Sequence, residues 1–375
     1  MERAQALLRA APGAAQCDVI ADDLVDPVAL AHLGDVALPD PACHVAQSRG
    51  NVIVADRVAR GPDPPRSISP GRGAACGRIS GVTATSAALA AEFDQHRSRL
   101  IGLGYRLTGR IADAEDAVQD AWLRLASTDR EDIRDLGAWL TTVVSRLCLD
   151  RMRSAAVQRE QYVGPWLPEP LVTSLDDDPG DIVADQDDLR MAALRVLHEL
   201  PPDQRLAFVL HDGFGVPFAE IADVLGCSVA AARQHASRAR RAMAEADPPP
   251  QVPLPEQQRI VEEFLAAVAS KDVDAVARAL HPTAAVIADS GGKARTARRP
   301  VVGVDKVARL LVGLVRKYDE LLGGIRLVRV NGDLGVLLPG SPELAPRVFT
   351  LAVRDGRLAT VFEVANPDKL TRVPW

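Results

Sequence analysis

The chain has 375 residues, a formal net charge of −6, 47% hydrophobic and 25% charged residues. That is enough for two or three domains with the balance of soluble globular folds. It excludes a membrane span, since no apolar run approaches the ~20 residues one needs, and the start lacks the basic-then-apolar pattern of a secretory leader. The five cysteines, Cys17, Cys43, Cys76, Cys148 and Cys227, form no C-x-x-C pair and have no ligand-spaced histidine. This points to a reducing cytoplasm and against disulfides or structural zinc, and no metal or cofactor is expected.

Residues 1–85 are rich in Ala, Gly, Pro and Arg, with breakers at Gly61–Pro65 and Ser69–Gly73. They predict disorder, with one short helix near Glu2–Ala11. An over-long gene start is an equal reading of the same stretch. Helical periodicity begins at Ser86. Leu89, Phe93, Leu100, Leu103 and Leu107 mark one apolar face, and Gly109 ends that helix. Asp113–Leu125 and Leu136–Arg153 follow with their own apolar stripes, which place Trp122 and Trp139 in the core. Residues 161–188 read as a linker with Pro165, Pro168, Pro170, Pro179 and the acidic run Asp176–Asp178. Residues 189–246 are helical again, and Pro248–Pro250 and Pro253 break the chain across 247–255. Residues 256–375 begin with helices at Glu256–Ser270, Val273–Leu280 and Val304–Tyr318. Strands at Ile325–Val330, Leu334–Leu338, Val348–Val353 and Leu358–Val364 follow, with turn signals at Gly332 and Asp355-Gly356. Helices on an antiparallel sheet predict an α+β unit behind two all-α domains, 86–160 and 189–246.

The stretch Phe218–Arg241 meets the demands of a helix-turn-helix in order. Ala222 is small where the helices cross, Gly226 sits at the turn, and Ser228 can cap the second helix. Val229, Ala232, Ala236 and Ala239 form an inward stripe. Arg233, Gln234, Ser237, Arg238 and Arg241 face outward together. Arginine can give two hydrogen bonds to guanine and glutamine can pair with adenine, so this face suits a major groove. Four arginines within nine positions (Arg233, Arg238, Arg240, Arg241) favour DNA over an ordinary solvated hairpin. In the first helical domain, Asp113, Glu115, Asp116 and Asp120 make one acidic helix. Arg146, Arg151, Arg153 and Arg159, with Asp150 among them, make a basic one.

Asp113–Trp122 followed by Ala138-Trp139-Leu140 resembles region 2 of extracytoplasmic-function sigma factors. Glu199–Arg205 leading into the helix-turn-helix resembles their region 4. The resemblance covers about Ala87–Glu245. It implies that Asp113, Glu115, Asp116 and Asp120 grip the β′ coiled coil of RNA polymerase core, with the β flap as a further contact. It implies that Arg146, Asp150, Arg151 and Arg153 melt and capture the −10 element, and that Arg233, Gln234, Ser237, Arg238 and Arg241 read the −35 element. Unstacking a base costs a few kcal/mol, which basic residues along the single strand can offset.

The linker motif Tyr162–Pro170, with Asp289–Lys293 and Asn366–Leu370, is similar to signatures of sigma factors with a fused SnoaL-like C-terminal domain. That resemblance implies a cone of curved sheet and helices around a cavity. Ser290 stands where that group carries glycine, which strains the turn if the position needs positive φ. His281, Asp289, Lys293, Asp305, Glu363 and Asp368 are cavity candidates, but their spacing fixes no acid–base pair. The favoured expectation is a regulatory module without enzyme activity, and a small ligand in the cavity is a second one. Trp166, Leu167 and Pro168 would form a rigid apolar plug. It would dock near Asp289, Lys293, Asn366, Asp368 and Lys369 and fix the orientation of the two helical domains. A stiff spacer is the plain alternative. The competing class is a helix-turn-helix repressor with a ligand-binding tail, which would bind duplex DNA without polymerase. A cavity enzyme is a third.

Overall fold

A computed structural model describes residues 79–159, 162–175, 189–318 and 323–375. The short helix expected near Glu2–Ala11, the rest of 1–78, the acidic run Asp176–Asp178 and the side chain of Arg159 lie outside the described residues. The chain divides into two units, and Leu89–Trp375 belongs to the larger. Helices α1 (Ile79–Thr108), α2 (Ile111–Ser127) and α3 (Leu136–Arg159) come first. Then come α4 (Met191–Glu199), α5 (Pro202–Phe208), α6 (Phe218–Leu225) and α7 (Val229–Ala246). A π-turn at Val209–Gly213 joins α5 to the segment before α6.

All seven helices feed one apolar core. Leu103, Leu107, Leu140 and Val144 from α1 and α3 share it with Leu194, Leu206, Ile221 and Ala236 from α4 to α7. α3 packs on both α5 and α6. Burying this much apolar surface makes the two helical segments one body. Trp122 and Trp139 are half-buried against this core, and Trp122 tilts on Phe93 with ring centroids 5.0 Å apart.

The C-terminal unit holds α8 (Leu254–Ala269), α9 (Val273–Ala279), β2 (Leu280–Asp289), β3 (Val301–Val302) and α10 (Val304–Lys317). Strands β4 (Arg326–Val330), β5 (Asp333–Leu338), β6 (Arg347–Arg354) and β7 (Arg357–Val364) complete it, and β1 (Val172–Thr173) comes from the linker. The sheet order is β1-β4-β5-β6-β7-β2-β3. This is the expected α+β arrangement with one correction: β2 runs parallel to β7, so the sheet is mixed. A register shift between Leu280 and Ala285 of β2 bends that strand, as bulges do. β2 has no clean alternation and carries Pro282, so the sequence reading missed it.

Strand alternation gives the sheet two apolar faces. Val336, Leu351 and Val361 pack with Phe264, Val268, Val312 and Val315 of α8 and α10. Leu337, Val348, Phe362 and Val364 pack instead with Leu167 of the linker, Met191 of α4 and Leu370 and Val373 of the tail. The linker is therefore part of the C-terminal unit's second core, and Val172–Thr173 pairs antiparallel with Arg329–Val330 at the sheet edge.

Candidate functional site

The turn between α6 and α7 forms as its residues dictate. Gly226 takes φ +67°, a left-handed conformation that glycine adopts without steric cost, and its N–H closes on Ala222 O. The Ser228 hydroxyl accepts from Ala231 N at 3.2 Å and caps α7. Ala232, Ala236 and Ala239 are fully buried. Val229 departs from the expected inward stripe and is exposed, because it sits in the first turn, ahead of the α7 contact with the core. Arg233, Gln234, Ser237, Arg238 and Arg241 are all exposed on α7. Arg233 lies over the Phe218 ring at 5.7 Å, which anchors its stem at the mouth of the turn. Replacing Ser228 by alanine is expected to cost about 1 kcal/mol of stability, measurable as a lowered urea midpoint.

In the first helical segment, α2 starts without a side-chain cap of its own at Arg110. Glu169 of the linker supplies one. Its Oε2 accepts from Ile111 N at 3.0 Å, its N–H donates to Gly109 O, and its carbonyl accepts from the Tyr105 hydroxyl at 2.6 Å. A carboxylate here also meets the positive end of the helix. Asp116 is exposed on α2, Asp113, Glu115 and Asp120 are half-buried, and Leu123 follows on the same helix at 59% exposure. Arg146, Asp150 and Arg153 form an exposed stripe on α3. Arg151 turns inward: its guanidinium donates to Asp113 O at 2.5 Å and to Asp120 Oδ2 at 3.2 Å. Arg153 pairs with Asp203 of α5 at 3.0 Å, and Glu115 takes both Nη atoms of Arg372 from the tail. Four of the eight expected polymerase and −10 residues, Glu115, Asp120, Arg151 and Arg153, thus have side chains engaged in ties that the sequence did not reveal, because the partners lie 31 to 257 residues apart.

The linker and tail motifs meet around Asp289. This fully buried carboxylate accepts from Leu167 N (2.7 Å), Lys369 Nζ (2.7 Å), the Tyr162 hydroxyl (2.5 Å) and Gly291 N (3.1 Å). Lys369 Nζ also donates to Leu167 O and lies 4.1 Å from the Trp166 ring centroid. Asn366 donates to the Tyr162 hydroxyl, and Lys293 pairs with Asp368 at the surface. Pro168 is buried beside Leu167. Trp166 reaches the helices instead, 4.8 Å from the His198 ring of α4 and against Gly109. The left-handed positions of the glycine turn are Gly291 and Gly292, and Ser290 is not among them, so it carries no such strain. Gly109 takes φ +75°, and a Cβ there would run into Trp166. Gly109→Ala is expected to destabilise the chain by about 1–3 kcal/mol and to raise protease cleavage within 162–175, read by mass mapping of a limited digest.

Family models for sigma-70 region 2 and sigma-70 region 4 match residues 93–157 and 190–243. The ECF RNA polymerase sigma factor SigJ of Mycobacterium tuberculosis (strain ATCC 25618 / H37Rv) is 52% identical over 294 residues, covering 76% of this chain and 93% of the relative. The chain belongs to the ECF RNA polymerase sigma factors. A second relative, the probable ECF RNA polymerase sigma factor SigI of M. tuberculosis (strain CDC 1551 / Oshkosh), is 34% identical over 287 residues, 75% of this chain and 94% of its own length. The crystal structure of M. tuberculosis extracytoplasmic function sigma factor SigJ superposes with a TM-score of 0.64 at 49% identity, covering 75% of this chain and 98% of that one.

Directing RNA polymerase to promoters is the function of this sigma factor. Its region 2 and region 4 are tied by more than the shared core. Arg205 of α5 is buried and donates to Leu197 O, His198 O and Leu200 O in region 4 and to Leu107 O in region 2. Region 4 is tied in turn to the C-terminal unit. Arg190 and Asp333 form a buried pair at 2.9 Å, Gln257 donates to the same carboxylate, and Arg190 also donates to Pro249 O. Burial raises the Asp333 pKa while Arg190 opposes the shift. Asn331 donates to the Tyr105 hydroxyl at 2.8 Å, joining region 2 to the same β4–β5 turn. None of the ties to the C-terminal unit has a local sequence signal.

Among the cavity candidates, Lys293 and Asp368 meet, but as a half-exposed surface pair. Asp305 and Lys293 are exposed, and Asp368 pairs with Lys293. His281 pairs with Asp355 at 3.4 Å near the strand end, and Asp289 faces the linker. Glu363 is buried against Arg347. Among the described residues no His, Cys, Asp or Glu cluster could hold a metal, and no helix is long and apolar enough to cross a membrane. Cys148 is fully buried, and burial pushes its thiol up to about 12. It is expected to resist alkylation at pH 8 in the native chain and to react on unfolding, read by peptide mass spectrometry, because the thiolate is the reactive form.

Proposed function

We propose that this sigma factor reads promoters at two points and that its C-terminal unit, a SnoaL-like module, sets whether the two readers are free to separate. Region 4 presents Arg233, Gln234, Ser237, Arg238 and Arg241 to the −35 element. Arg146, Asp150 and Arg153 of region 2 face the −10 element, and Arg151 braces α3 against α2. Asp113, Glu115, Asp116 and Asp120 contact the β′ coiled coil of polymerase core, with Leu123 as an apolar addition to that surface. The β flap takes the region 4 side. The segments 86–160, 189–246 and 256–375 are the functional units, joined by 161–188 and 247–255.

The observation that carries this reading is the single apolar core shared by regions 2 and 4. The −10 and −35 elements lie about 25 base pairs apart, roughly 85 Å at ~3.4 Å per pair. Helices packed side by side do not span that distance. The packed arrangement is therefore the resting state, and promoter engagement requires α3 to leave α5 and α6. The linker seat at Asp289, the Arg190–Asp333 pair and the Arg372–Glu115 pair all favour the closed form. The last also occupies a carboxylate that polymerase would use.

Run-off transcription with purified core polymerase tests the assignment. The full chain is expected to yield promoter-specific transcripts, and Arg238→Ala to lower output about 5- to 150-fold, in line with about 1–3 kcal/mol per base-reading pair. Sequence-specific duplex binding without polymerase, and no transcript with it, would instead establish the repressor reading.

A further inference from the structure

Between β2 and β3 the chain passes through Ser290–Pro300. Lys293, Arg295, Arg298 and Arg299 put cations at four of seven positions there, and no Asp or Glu occurs from 290 to 304. In a chain of net charge −6 this is a local reversal of sign. All four are exposed, while Ala294, Thr296 and Ala297 between them are half-buried, so the loop turns its charges outward. Lys293 is paired with Asp368. Exposed arginines elsewhere on the C-terminal unit have acidic neighbours, Arg259 with Glu263 and Arg309 with Asp305. Arg295, Arg298 and Arg299 make no ion pair among the described residues.

The backbone behind these side chains is fixed at both ends. Asp289 Oδ1 accepts from Gly291 N, Ser290 Oγ accepts from Gly292 N, and Lys293 N donates to Ser290 O at 2.9 Å. At the far end Val301–Val302 pairs with Ala285–Val286 of β2, and Gly303 N donates to Ala284 O. The linker backs the loop: a Cβ on Gly292 would lie 3.1 Å from Val163, and one on Gly164 3.7 Å from Arg298 O. A backbone held this way has little further ordering to lose on binding. Tyr162, at the start of this contact, lies three positions beyond Arg159, the last residue of α3. At ~1.5 Å per helical residue and at most ~3.6 Å per extended one, Tyr162 is within about 20 Å of Arg153. The exposed stripe of α3 with Arg146 and Arg153 therefore leads toward the arginine loop.

We propose that the 293–299 loop binds the phosphate backbone of duplex promoter DNA beside the stretch that α3 engages, so that the C-terminal unit is itself part of the DNA-binding surface. The side chains select the partner. Arginine gives two parallel N–H bonds to phosphate oxygens and is more weakly hydrated than lysine. Three such groups close together on one loop suit a polymer carrying one charge per ~1.7 Å of axis. The loop is neither an α-helix nor a two-stranded ribbon, the forms that enter a major groove. Its contacts therefore position the promoter without reading bases. The reach of about 20 Å puts them within some six base pairs of those made by α3, at ~3.4 Å per pair. Only that position rests on the α3 assignment proposed above, and phosphate binding itself does not.

Core polymerase loaded with the full chain can be titrated with a promoter duplex over a range of salt concentrations. Each phosphate charge neutralised adds about 0.9 to the slope of log affinity against log salt. Arg295→Gln with Arg298→Gln and Arg299→Gln is expected to make that slope shallower by about 2–3. The loss of affinity is expected to be the same when the base pairs flanking the −10 element are scrambled. Arg295→Lys with Arg298→Lys and Arg299→Lys is expected to keep the original slope. Arg259→Gln with Arg278→Gln and Arg309→Gln removes equal charge from α8, α9 and α10 and is expected to leave the slope unchanged. All six positions are exposed, so the fold tolerates the changes. An unchanged slope in the loop variant, an equal fall in the α8–α10 variant, or a loss that depends on the flanking bases would each overturn the proposal. So would weaker binding of the loop variant to core polymerase without DNA, which would assign the loop to a protein surface. The two-point reading fails separately, on the Arg238→Ala transcription result above, so the two failures are distinguishable.

Discussion

Replacing Asp289 by alanine is expected to destabilise the full chain by about 3–5 kcal/mol, because it strips the partner from a buried charge. Asp289 and Lys369 are 0% and 3% exposed in their side chains, and the carboxylate also anchors Leu167 N and the Tyr162 hydroxyl. Leu167 O would be the main acceptor left to the Lys369 ammonium beside the Trp166 ring. The loss appears as a drop in the urea midpoint, accompanied by protease sensitivity across 162–175. Asp289→Leu with Lys369→Met removes both charges and is expected to recover much of the stability, as apolar replacement of buried pairs often does. It is not expected to restore linker protection, since Leu167 N and Tyr162 lose their acceptor in either variant. An unchanged midpoint in Asp289→Ala would show that the linker seat contributes little to the closed form.

Arg205→Ala is expected to have the next largest effect, about 3 kcal/mol, since several buried carbonyls lose their donor at once. Leu197, His198 and Leu200 contribute three of these from the α4–α5 turn, and Leu107 contributes one from region 2. A space lined by Thr108, Met152 and His198 lies beside them, so water can reach part of the site and limit the loss. Arg205→Lys keeps the charge but not the planar fork, and is expected to recover less than half. The urea midpoint measures both. The second readout is the distance between regions 2 and 4, because the bonds to Leu107 O and Met152 Sδ cross between them. A variant that unfolds region 4 alone would lose DNA binding, whereas one that opens the interface would keep it.

Where structure follows from neighbours in sequence, the sequence showed it. Gly226, Ser228 and the alanines at 232, 236 and 239 specify the α6–α7 turn locally, and the β-branched runs with Asp355-Gly356 specify the β6–β7 hairpin. The meeting of the linker with Asp289 and Lys369 was anticipated from motif resemblance, not from any physical pattern in the residues themselves. What escaped was nonlocal. β1 is two residues long and exists only because β4 offers an edge. β2 is extended because β7 lies parallel on one side of it and β3 antiparallel on the other. Arg151, Arg153 and Glu115 read as surface charges on amphipathic helices, and only the packed chain shows their partners. The same holds for Arg347, whose buried position beside Glu363 depends on two strands meeting.

The packed form brings together the acidic helix, the basic helix and α7 in one body, which the two-point promoter reading proposed above does not accommodate. Spin labels introduced at Arg124 on α2 and Glu245 on α7, both exposed, can follow this directly through an electron–electron distance measurement. One short distance is expected in the free chain, lengthening by tens of ångströms, toward the roughly 85 Å set by ~3.4 Å per base pair, once core polymerase and promoter DNA are present. The same short distance in a complex that actively transcribes would contradict the claim that this sigma factor must open to read its promoter.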